Sequence, residues 1–364
     1  MEQALIVRGA PQEYQCGAGA WQQLPNHLKR RDLKKLLVLH GEKSWAAVKN
    51  YFPDLSKFEV DYEYYGGNCT DELAEKFAQL VLTNKYQGII AVGGGKVSDC
   101  GKLAAYLAKV PIIMLPTLSA TCAAYTPLSV VYDDHGVMER LAFFPVSNAL
   151  VLIEPAVILE SPVELMVAGI GDTLAKWYEA DAIIAQLEIK PIEVKVAEYA
   201  AQQCQEVLLR DSEAALASME KQEISQPFLN VLETNILLAG MVGGFGDEYG
   251  RTAGAHSIHD AMTLLPASHQ QLHGNKVAYG VFVQLVIEMK WHEIEKLLPF
   301  YQKLGLPHSL AAMNMHLTEK EYMAVATRAC IEDETIHFMK EEISPEIVKQ
   351  AMLDLEAFMA DKGI

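Results

Sequence analysis

Residues 88–99 read GIIAVGGGKVSD and place a glycine-rich turn directly after a short apolar run. Gly88–Val92 has the composition of a buried strand, and Gly93–Asp99 opens a stretch with the composition of a helix. Successive glycines let a backbone approach a phosphate group, and the free N–H groups at a helix start complement the phosphate charge. The segment matches neither GxGxxG nor GxxxxGK(S/T), so it predicts either a phosphate-binding loop or a tight turn alone.

The chain on both sides of this loop alternates between apolar runs and amphipathic stretches. Asp71–Thr83 has the spacing of an amphipathic helix, and Thr70 is placed to cap its N-terminus. Strand–helix alternation is typical of an α/β doubly wound parallel sheet. Ser129–Arg140 differs, because an Asp-His-Gly turn between two short runs predicts a hairpin. The other predicted buried strands are Leu36–His40, Phe58–Tyr64, Pro111–Leu115 and Ala149–Ile153.

The second half of the chain has the 3.6-residue periodicity of helices. It begins at Ser161, and Pro162 lies where a first helix would start. The sequence therefore predicts an α/β domain over residues 1–160 and an all-α domain over residues 161–364. Within the first domain, Pro116–Thr121 brings hydroxyl groups to the carboxyl end of a strand. There they serve either as a second nucleotide contact or as helix caps.

The composition is that of a globular protein with an acidic surface. Hydrophobic residues make up 51% and charged residues 21% of the 364 residues, which excludes disorder as the main state. The 47 acidic and 30 basic residues give a net charge of −17, and such a surface repels phosphate backbones and anionic membranes. We find no local basic patch, so we expect neither a nucleic-acid nor a membrane partner.

Targeting and cysteine patterns lead us to expect a cytoplasmic protein. The first residues lack the basic start and apolar run of a signal peptide. The most apolar stretch that we identify, Val277–Met289, is interrupted by polar side chains and too short to span a bilayer. The six cysteines show no CxxC spacing, which argues against a thiolate zinc site and a disulfide framework.

Three histidines and one carboxylate are candidates for a metal site. Asp172 lies inside an apolar helical pattern, where an unpartnered carboxylate is costly to bury. With His256 and His273 it would form a three-ligand site with positions open for water or substrate, as catalytic metals need. The alternative is that these histidines are buried and only form hydrogen bonds. His259 shares a helix face with His256 and could relay protons or donate a hydrogen bond.

These motifs, in their order, resemble the iron-containing, metal-dependent alcohol dehydrogenase family and its glycerol dehydrogenase-like branch. The resemblance implies a Rossmann-like dinucleotide-binding domain over residues 1–160 and a helical metal- and substrate-binding domain over residues 161–364. It also implies NAD or NADP, one divalent metal ion (zinc first, then iron, manganese or nickel), a small-molecule substrate and a homo-oligomer. It covers nearly the full chain and rests on Gly93–Asp99 with Lys102, Pro116–Thr121, Leu128–Tyr132, Ala168–Asp172, Ala255–His256 and His273–Gly280.

The resemblance also implies roles for individual residues. Asp172, His256 and His273 become the metal ligands, and His259 becomes a candidate catalytic proton relay. In such enzymes the metal polarises the substrate oxygen while hydride passes between the substrate and the nicotinamide. The implied cofactor contacts are Gly41, Gly94, Gly95, Lys96, Val97, Ser98, Asp99, Thr117, Leu118, Ser119, Ala120, Thr126, Leu128 and Tyr132.

Three positions depart from the pattern of the relatives. Cys122 replaces the Asp with which glycerol dehydrogenases contact a polyol, so it either touches the substrate or merely packs. Lys176 stands where iron-type relatives place a histidine ligand, and it pairs with Asp172, pairs with a substrate carboxylate or is solvated. Gly41 stands where NAD-specific relatives carry an acid, although Glu42 could take over the ribose contact. The choice between NAD and NADP therefore stays open.

Cys122, residues 125–129 and residues 168–180 resemble hydroxycarboxylate dehydrogenases of this branch more than glycerol dehydrogenases. This implies hydride transfer between a small 2-oxo acid and a 2-hydroxy acid. Glycerol or another vicinal diol is the nearest alternative, and a catalytically silent nucleotide-binding protein is a third. A 3-dehydroquinate synthase-like lyase should show more basic residues near the motifs than Lys96, Lys102, Lys176 and Lys276.

Overall fold

The computed structural model describes residues 5–364, which group into two compact units. The sheet unit comprises Arg8–Val163 and Ala217–Gly240. The helical unit comprises Glu164–Leu216 and Met241–Ile364, together with the described residues up to Val7. The domain boundary at residue 160 stays a prediction, and the compact units differ from it mainly in residues 217–240. Helical periodicity shows that such a segment is amphipathic, but it does not show which core its apolar face packs against.

The sheet unit is built on a parallel sheet, as the alternation of strands and helices predicted. Its order is β1-β8-β5-β4-β2-β3 among the described residues, and every neighbouring pair is parallel. The predicted hairpin is also confirmed, because β6 and β7 pair antiparallel around a turn that contains Gly136 at φ +81°. The strands are β1 Tyr14–Cys16, β2 Lys35–His40, β3 Glu59–Tyr64, β4 Gly88–Gly93, β5 Ile112–Pro116, β6 Leu128–Tyr132, β7 Met138–Phe143 and β8 Leu150–Ile153.

One predicted buried strand is exposed. In β3 only Val60 is half-buried, and the other side chains of the strand face solvent. β3 lies at the edge of the sheet, and its acidic residues Glu59, Asp61 and Glu63 recur at every second position. Charged side chains on an edge strand are a common protection against pairing with a further strand. The prediction of burial was therefore wrong for this strand, although its bounds were close.

Helices cover the faces of the sheet and make up the helical unit. Thr70 caps α3 as predicted, because its hydroxyl accepts a hydrogen bond from the Leu73 N–H at 3.2 Å. The helices are α1 Leu24–Arg30, α2 Glu42–Val48, α3 Asp71–Asn84, α4 Gly95–Ala108, α5 Pro155–Leu159, α6 Val163–Ile184, α7 Ile192–Lys221, α8 Gln226–Glu233, α9 Ala239–Gly246, α10 Gly254–Met262, α11 His273–Ile287, α12 Trp291–Leu304, α13 Glu319–Ala329 and α14 Pro345–Asp361. A π-helical turn, Thr234–Leu238, joins α8 to α9.

The register of the sheet gathers three predicted segments at its carboxyl edge. Gly93 at the end of β4 pairs with Pro116 at the end of β5, and the Thr117 N–H donates to the Gly93 carbonyl at 3.1 Å. On the other side, His40 at the end of β2 pairs with Val92. The glycine loop is therefore flanked by the hydroxyl-rich segment and by the turn that contains Gly41.

Gln226–Tyr249 has the length and the mean hydropathy, 1.4 over an 18-residue window, of a membrane-spanning helix. In this protein 61% of that window is buried, and core helices of soluble proteins pass the same test. The segment is therefore weak evidence for a membrane span.

Candidate functional site

The glycine loop of the sheet unit has the backbone geometry of an anion site. Gly94 is extended (φ −85°, ψ −163°) and precedes the first turn of α4, which no described side chain caps. A Cβ on Gly94 would lie 2.8 Å from Leu118 Cδ1, and one on Gly93 would lie 2.6 Å from Val97 Cγ2. A side chain at Gly93 would collide with Val97, one at Gly94 would need Leu118 to shift, and the first N–H groups of α4 face a small cavity. That cavity is lined by Gly93, Gly94, Gly95, Ser98, Pro116, Leu118, Ala120, Thr121, Ala123 and Ala124.

Further candidate cofactor residues lie in the same part of the sheet unit. The Lys96 ammonium group stands 5.2 Å from the centre of the Tyr132 ring, within reach of a cation–π contact. The Ser119 hydroxyl is buried and donates to the Leu232 carbonyl at 3.4 Å, so it anchors its segment to α8. Thr117 and Thr126 are also buried. The structure thus brings the candidate residues together but turns several of their side chains into the protein.

Asp99 has a structural contact that the sequence analysis did not predict. Its carboxylate is buried, forms an ion pair with Lys102 at 2.9 Å and accepts the Val130 N–H at 3.3 Å. The Lys102 ammonium group also donates to the carbonyl oxygens of Ala123, Thr126 and Leu128. This cluster, which we call the Lys102 anchor, ties the loop before β6 to helix α4. The signal in the sequence was an Asp and a Lys three residues apart within a helix that is otherwise apolar on that side.

Gly41 forms the start of α2 and lies close to the glycine-loop helix. A Cβ at Gly41 would stand 3.6 Å from Val97 Cγ2 and 3.7 Å from Tyr65 Cε1. It would also stand 2.7 Å from the Ser44 hydroxyl. The acidic side chain next to Gly41 is that of Glu42, in the first turn of α2. The Glu42 side chain is exposed.

Cys122 lies in the loop between β5 and β6 and is partly exposed. Its carbonyl oxygen accepts the N–H groups of Tyr125 at 2.9 Å and Thr126 at 3.2 Å, which closes a tight turn. The turn places a thiol, rather than a carboxylate, in a segment that contains no acidic side chain from Pro116 to Tyr132.

In the helical unit, the three predicted metal ligands converge from three helices. Asp172 comes from α6, His256 from α10 and His273 from the first position of α11, and their ligand atoms lie within 4.8 Å of one another. Asp172 Oδ1 is 3.2 Å from His256 Nε2 and 3.3 Å from His273 Nε2. One carboxylate oxygen and two imidazole nitrogens are a donor set that fits a divalent ion such as zinc and leaves a position open.

Small residues allow this convergence. A Cβ on Gly274 would overlap the Ala168 carbonyl oxygen, and one on Gly171 would lie 2.7 Å from the Gly274 carbonyl oxygen. The backbones of α6 and α11 are therefore in direct contact beside the cluster. This contact explains why the segments AGIGD and HG both carry glycine next to a ligand residue.

Asp172 and His256 are largely buried, the His273 side chain is 36% exposed, and the charges of the three residues act on one another. Burial acts to raise the pKa of Asp172, but His273, His256 and Lys176 hold it well below its ordinary value. Burial acts to lower the pKa of His256, but the carboxylates of Glu179 and Asp172 raise it to about 9. The carboxylates therefore attract positive charge, which a metal ion would supply in place of a proton.

Glu179 and Asp260 are site residues that sequence reasoning missed. Glu179 Oε2 is 2.7 Å from His256 Nδ1, and Asp260 Oδ1 is 2.8 Å from His259 Nδ1. Glu179 was visible in principle, because Asp172, Lys176 and Glu179 are spaced as one face of a helix.

His259 and Lys176, the predicted catalytic side chains, both lie at the cluster. His259 is buried, and its Nε2 is 2.9 Å from His273 Nδ1. Burial and His273 lower the pKa of His259 to about 3, so its imidazole is neutral at pH 7. Lys176 is also buried and donates to the Arg251 carbonyl at 3.2 Å. The alternative of a solvated lysine was therefore wrong, because the helix face that carries Lys176 is turned into the protein.

Comparisons with known proteins identify the family of this chain. The family model for iron-containing alcohol dehydrogenase matches residues 11–155. Hydroxycarboxylate dehydrogenase A of Escherichia coli (strain K12) is 34% identical over 352 residues, which cover 96% of this chain and 97% of the relative. Glycerol dehydrogenase of Thermotoga maritima is 33% identical over 333 residues, 90% of each chain.

A solved structure shows the same fold. A probable glycerol dehydrogenase from Sinorhizobium meliloti 1021 superimposes with a TM-score of 0.87 at 29% identity, over 96% of this chain and 98% of that one. The relatives are named as dehydrogenases, which argues against the lyase-like and the silent alternatives. Fold, candidate metal cluster and relatives lead to one conclusion: the chain belongs to the iron-containing alcohol dehydrogenase family of NAD(P)- and metal-dependent enzymes that act on CH–OH groups.

Proposed function

We propose that this dehydrogenase interconverts a small 2-oxo acid and the corresponding 2-hydroxy acid. The observation that carries the proposal is the neutral turn at Cys122. Residues 116–132, which include this turn and the hydroxyl-rich segment, contain no acidic side chain. A carboxylate there would accept hydrogen bonds from the hydroxyls of a polyol, whereas a thiol accepts them poorly and does not repel an anion. A relative named hydroxycarboxylate dehydrogenase A supports the same substrate class.

We propose Asp172, His256 and His273 as the ligands of the catalytic metal ion, with zinc as the first choice. When bound, the metal ion polarises the substrate oxygen, and NAD(P) exchanges the hydride. The protein holds the three ligands on three helices and keeps Asp172 ionised through its histidine neighbours. Lys176 adds positive charge beside the ligands without occupying a ligand position.

The N-terminus of α4 is the proposed site of the cofactor pyrophosphate. Its uncapped N–H groups and the partial positive charge of the helix end suit a diphosphate. No acid stands at Gly41 to repel a 2′-phosphate, so the proposal includes NADPH as well as NADH. We also propose a cytoplasmic homo-oligomer without nucleic-acid or membrane partners. The net charge of −17 supports the absence of those partners.

Steady-state kinetics test the substrate class. The zinc-loaded enzyme is assayed with NADH and NADPH against 2-oxobutyrate, dihydroxyacetone and methylglyoxal. We expect the highest kcat/KM for 2-oxobutyrate. A higher value for dihydroxyacetone would overturn the proposal and assign a glycerol-type reaction, the second candidate, which relatives named glycerol dehydrogenase favour. No activity after zinc, iron or manganese is supplied would contradict both.

A further inference from the structure

The two candidate histidine ligands each face Asp172 with the same ring nitrogen. His256 Nε2 and His273 Nε2 lie 3.2 and 3.3 Å from Asp172 Oδ1. A ring nitrogen binds a metal only when it carries no proton, so a neutral ligand imidazole must carry its proton on Nδ1. The partners of the two Nδ1 atoms therefore decide whether the ligands are ready for a metal.

At His256 the partner of Nδ1 is a carboxylate. Glu179 Oε2 is 2.7 Å away, and a carboxylate only accepts hydrogen bonds. The other oxygen, Glu179 Oε1, accepts the backbone N–H groups of Ala253 at 2.7 Å and His256 at 2.9 Å. The side chain of Glu179 is 1% exposed, so water does not replace these contacts. Both oxygens act only as acceptors, and the proton of the neutral imidazole is held on Nδ1.

At His273 the same result is reached through a second imidazole. His273 Nδ1 is 2.9 Å from His259 Nε2, and His259 Nδ1 is 2.8 Å from Asp260 Oδ1. Because Asp260 accepts, His259 carries its proton on Nδ1 and its Nε2 is an acceptor. That acceptor takes the proton of His273 Nδ1, which leaves His273 Nε2 unprotonated toward Asp172. The direction of the whole hydrogen-bonded chain follows from the carboxylate at its end.

We propose that Glu179 and the His259–Asp260 pair are positioning residues, which hold His256 and His273 in the tautomer and ring orientation that bind the metal through Nε2. His259 then acts as a fixed hydrogen-bond acceptor rather than as a proton relay. The proposal rests on the proposed ligand set of Asp172, His256 and His273. Outer partners of metal-bound histidines contribute about 10–100-fold to metal affinity, which sets the scale of the expected effects.

The near-isosteric change Glu179→Gln tests the first arm. An amide has one acceptor oxygen, so its NH₂ group must oppose either His256 Nδ1–H or the two backbone N–H groups. We expect zinc affinity, measured by chelator competition at fixed pH, to fall by about 10–100-fold. The matched control is Glu356→Gln, a half-buried carboxylate of the helical unit, whose Oε1 accepts the Leu310 N–H. This control should bind zinc as the unchanged protein does.

Two substitutions of His259 test the second arm. His259→Leu removes the acceptor for His273 Nδ1–H, so we expect a loss of zinc affinity of about 10–100-fold. His259→Gln offers an amide oxygen to His273 and an amide N–H to Asp260, so it should recover most of that loss. Circular dichroism of the metal-free proteins separates folding defects from lost affinity. In the zinc-loaded, ¹⁵N-histidine-labelled protein, NMR should show protonated Nδ1 and zinc-bound Nε2 on both ligands.

Asp172→Ala separates this inference from the proposed function. If zinc affinity is unchanged by Asp172→Ala, the ligand set itself is wrong. If Asp172→Ala abolishes zinc binding while folded Glu179→Gln and His259→Leu bind zinc normally, the ligand set stands and the positioning role is refuted. Equal losses in His259→Leu and His259→Gln would refute the directed hydrogen bond, as would Nδ1-bound zinc in the NMR spectra.

Discussion

Replacing Lys102 by methionine removes a buried ammonium group and keeps most of the length of the side chain. Lys102 is 1% exposed, pairs with Asp99 at 2.9 Å and donates to the carbonyl oxygens of Ala123 and Thr126 at 2.7 and 3.2 Å. A third carbonyl, that of Leu128, accepts from the same nitrogen. The substitution therefore leaves one carboxylate and three carbonyl groups without this donor.

The magnitude follows from the buried ion pair. Removing one partner of such a pair destabilises a protein by about 3–5 kcal/mol, because the remaining charge is left uncompensated. At about 2–4 °C per kcal/mol for domains of this size, we expect Tm to fall by about 6–20 °C. The double change Asp99→Asn with Lys102→Met removes the stranded charge, so it should be more stable than Lys102→Met alone by about 0.5–3 kcal/mol.

Thermal and urea unfolding of the single and double variants measure these differences. Because the Lys102 anchor holds the loop that carries proposed cofactor contacts, the Kd for NADH should rise in Lys102→Met at temperatures where the variant is folded. Zinc affinity should not change, since the candidate ligands belong to the helical unit. A Lys102→Met protein within about 1 kcal/mol of the unchanged protein would refute the argument from the buried pair. A double variant less stable than the single would do the same.

Three further changes test the remaining assignments. Cys122→Asp should lower kcat/KM for 2-oxobutyrate and raise it for dihydroxyacetone, because it introduces a hydrogen-bond acceptor with a negative charge into the loop. An equal loss of kcat/KM on all substrates would mean that Cys122 only packs. Gly274→Ala should lower both Tm and zinc affinity, since its Cβ would overlap the Ala168 carbonyl oxygen and push α11 away from α6; an unchanged zinc Kd would contradict this. Gly41→Asp should raise the KM for NADPH more than that for NADH, and an equal effect on both would place the ribose contact elsewhere.

The sequence was most informative where a periodic pattern extends over many residues or where the residues are specific to a turn or a helix cap. The parallel sheet, the Thr70 cap and the hairpin around Gly136 were all predictable for this reason. β1 was missed because Tyr14–Cys16 is a three-residue strand in a polar context, and such a segment carries no periodic signal. The exposure of β3 depends on its position at the edge of the sheet, which the composition of the strand alone does not give.

The candidate metal cluster was predictable as a set of ligand types but not as a hydrogen-bonded network. His256 and Asp172 are far apart in sequence, so residue types alone left a metal site and simple buried histidines as alternatives, and the resemblance to a family favoured the metal site. His259 looked equally suited to proton transfer and to hydrogen bonding, because its role depends on which groups face its two ring nitrogens. Those groups, Asp260 and His273, come from the same helix and from the next one, and the distances between their atoms decide the donor at each step.

The charges around the candidate sites bear on how so acidic a protein would hold anionic ligands. Surface charges more than about 8 Å away are largely screened at physiological ionic strength, so the net charge of −17 has little influence inside a buried site. Around the metal cluster, the carboxylates of Asp172, Glu179 and Asp260 outnumber the nearby lysines Lys176 and Lys276. His256, whose pKa is raised to about 9, adds a third positive charge when no metal is bound, so the charges balance; a divalent cation in place of that proton would leave the cluster net positive toward an anionic substrate. In the sheet unit, the N-terminus of α4 at Gly94 and the acid-free segment beside it favour the binding of an anion, and no metal ion is needed there. The proposed substrate site would thus obtain its positive potential from a bound cation, and the proposed cofactor site would obtain it from backbone dipoles.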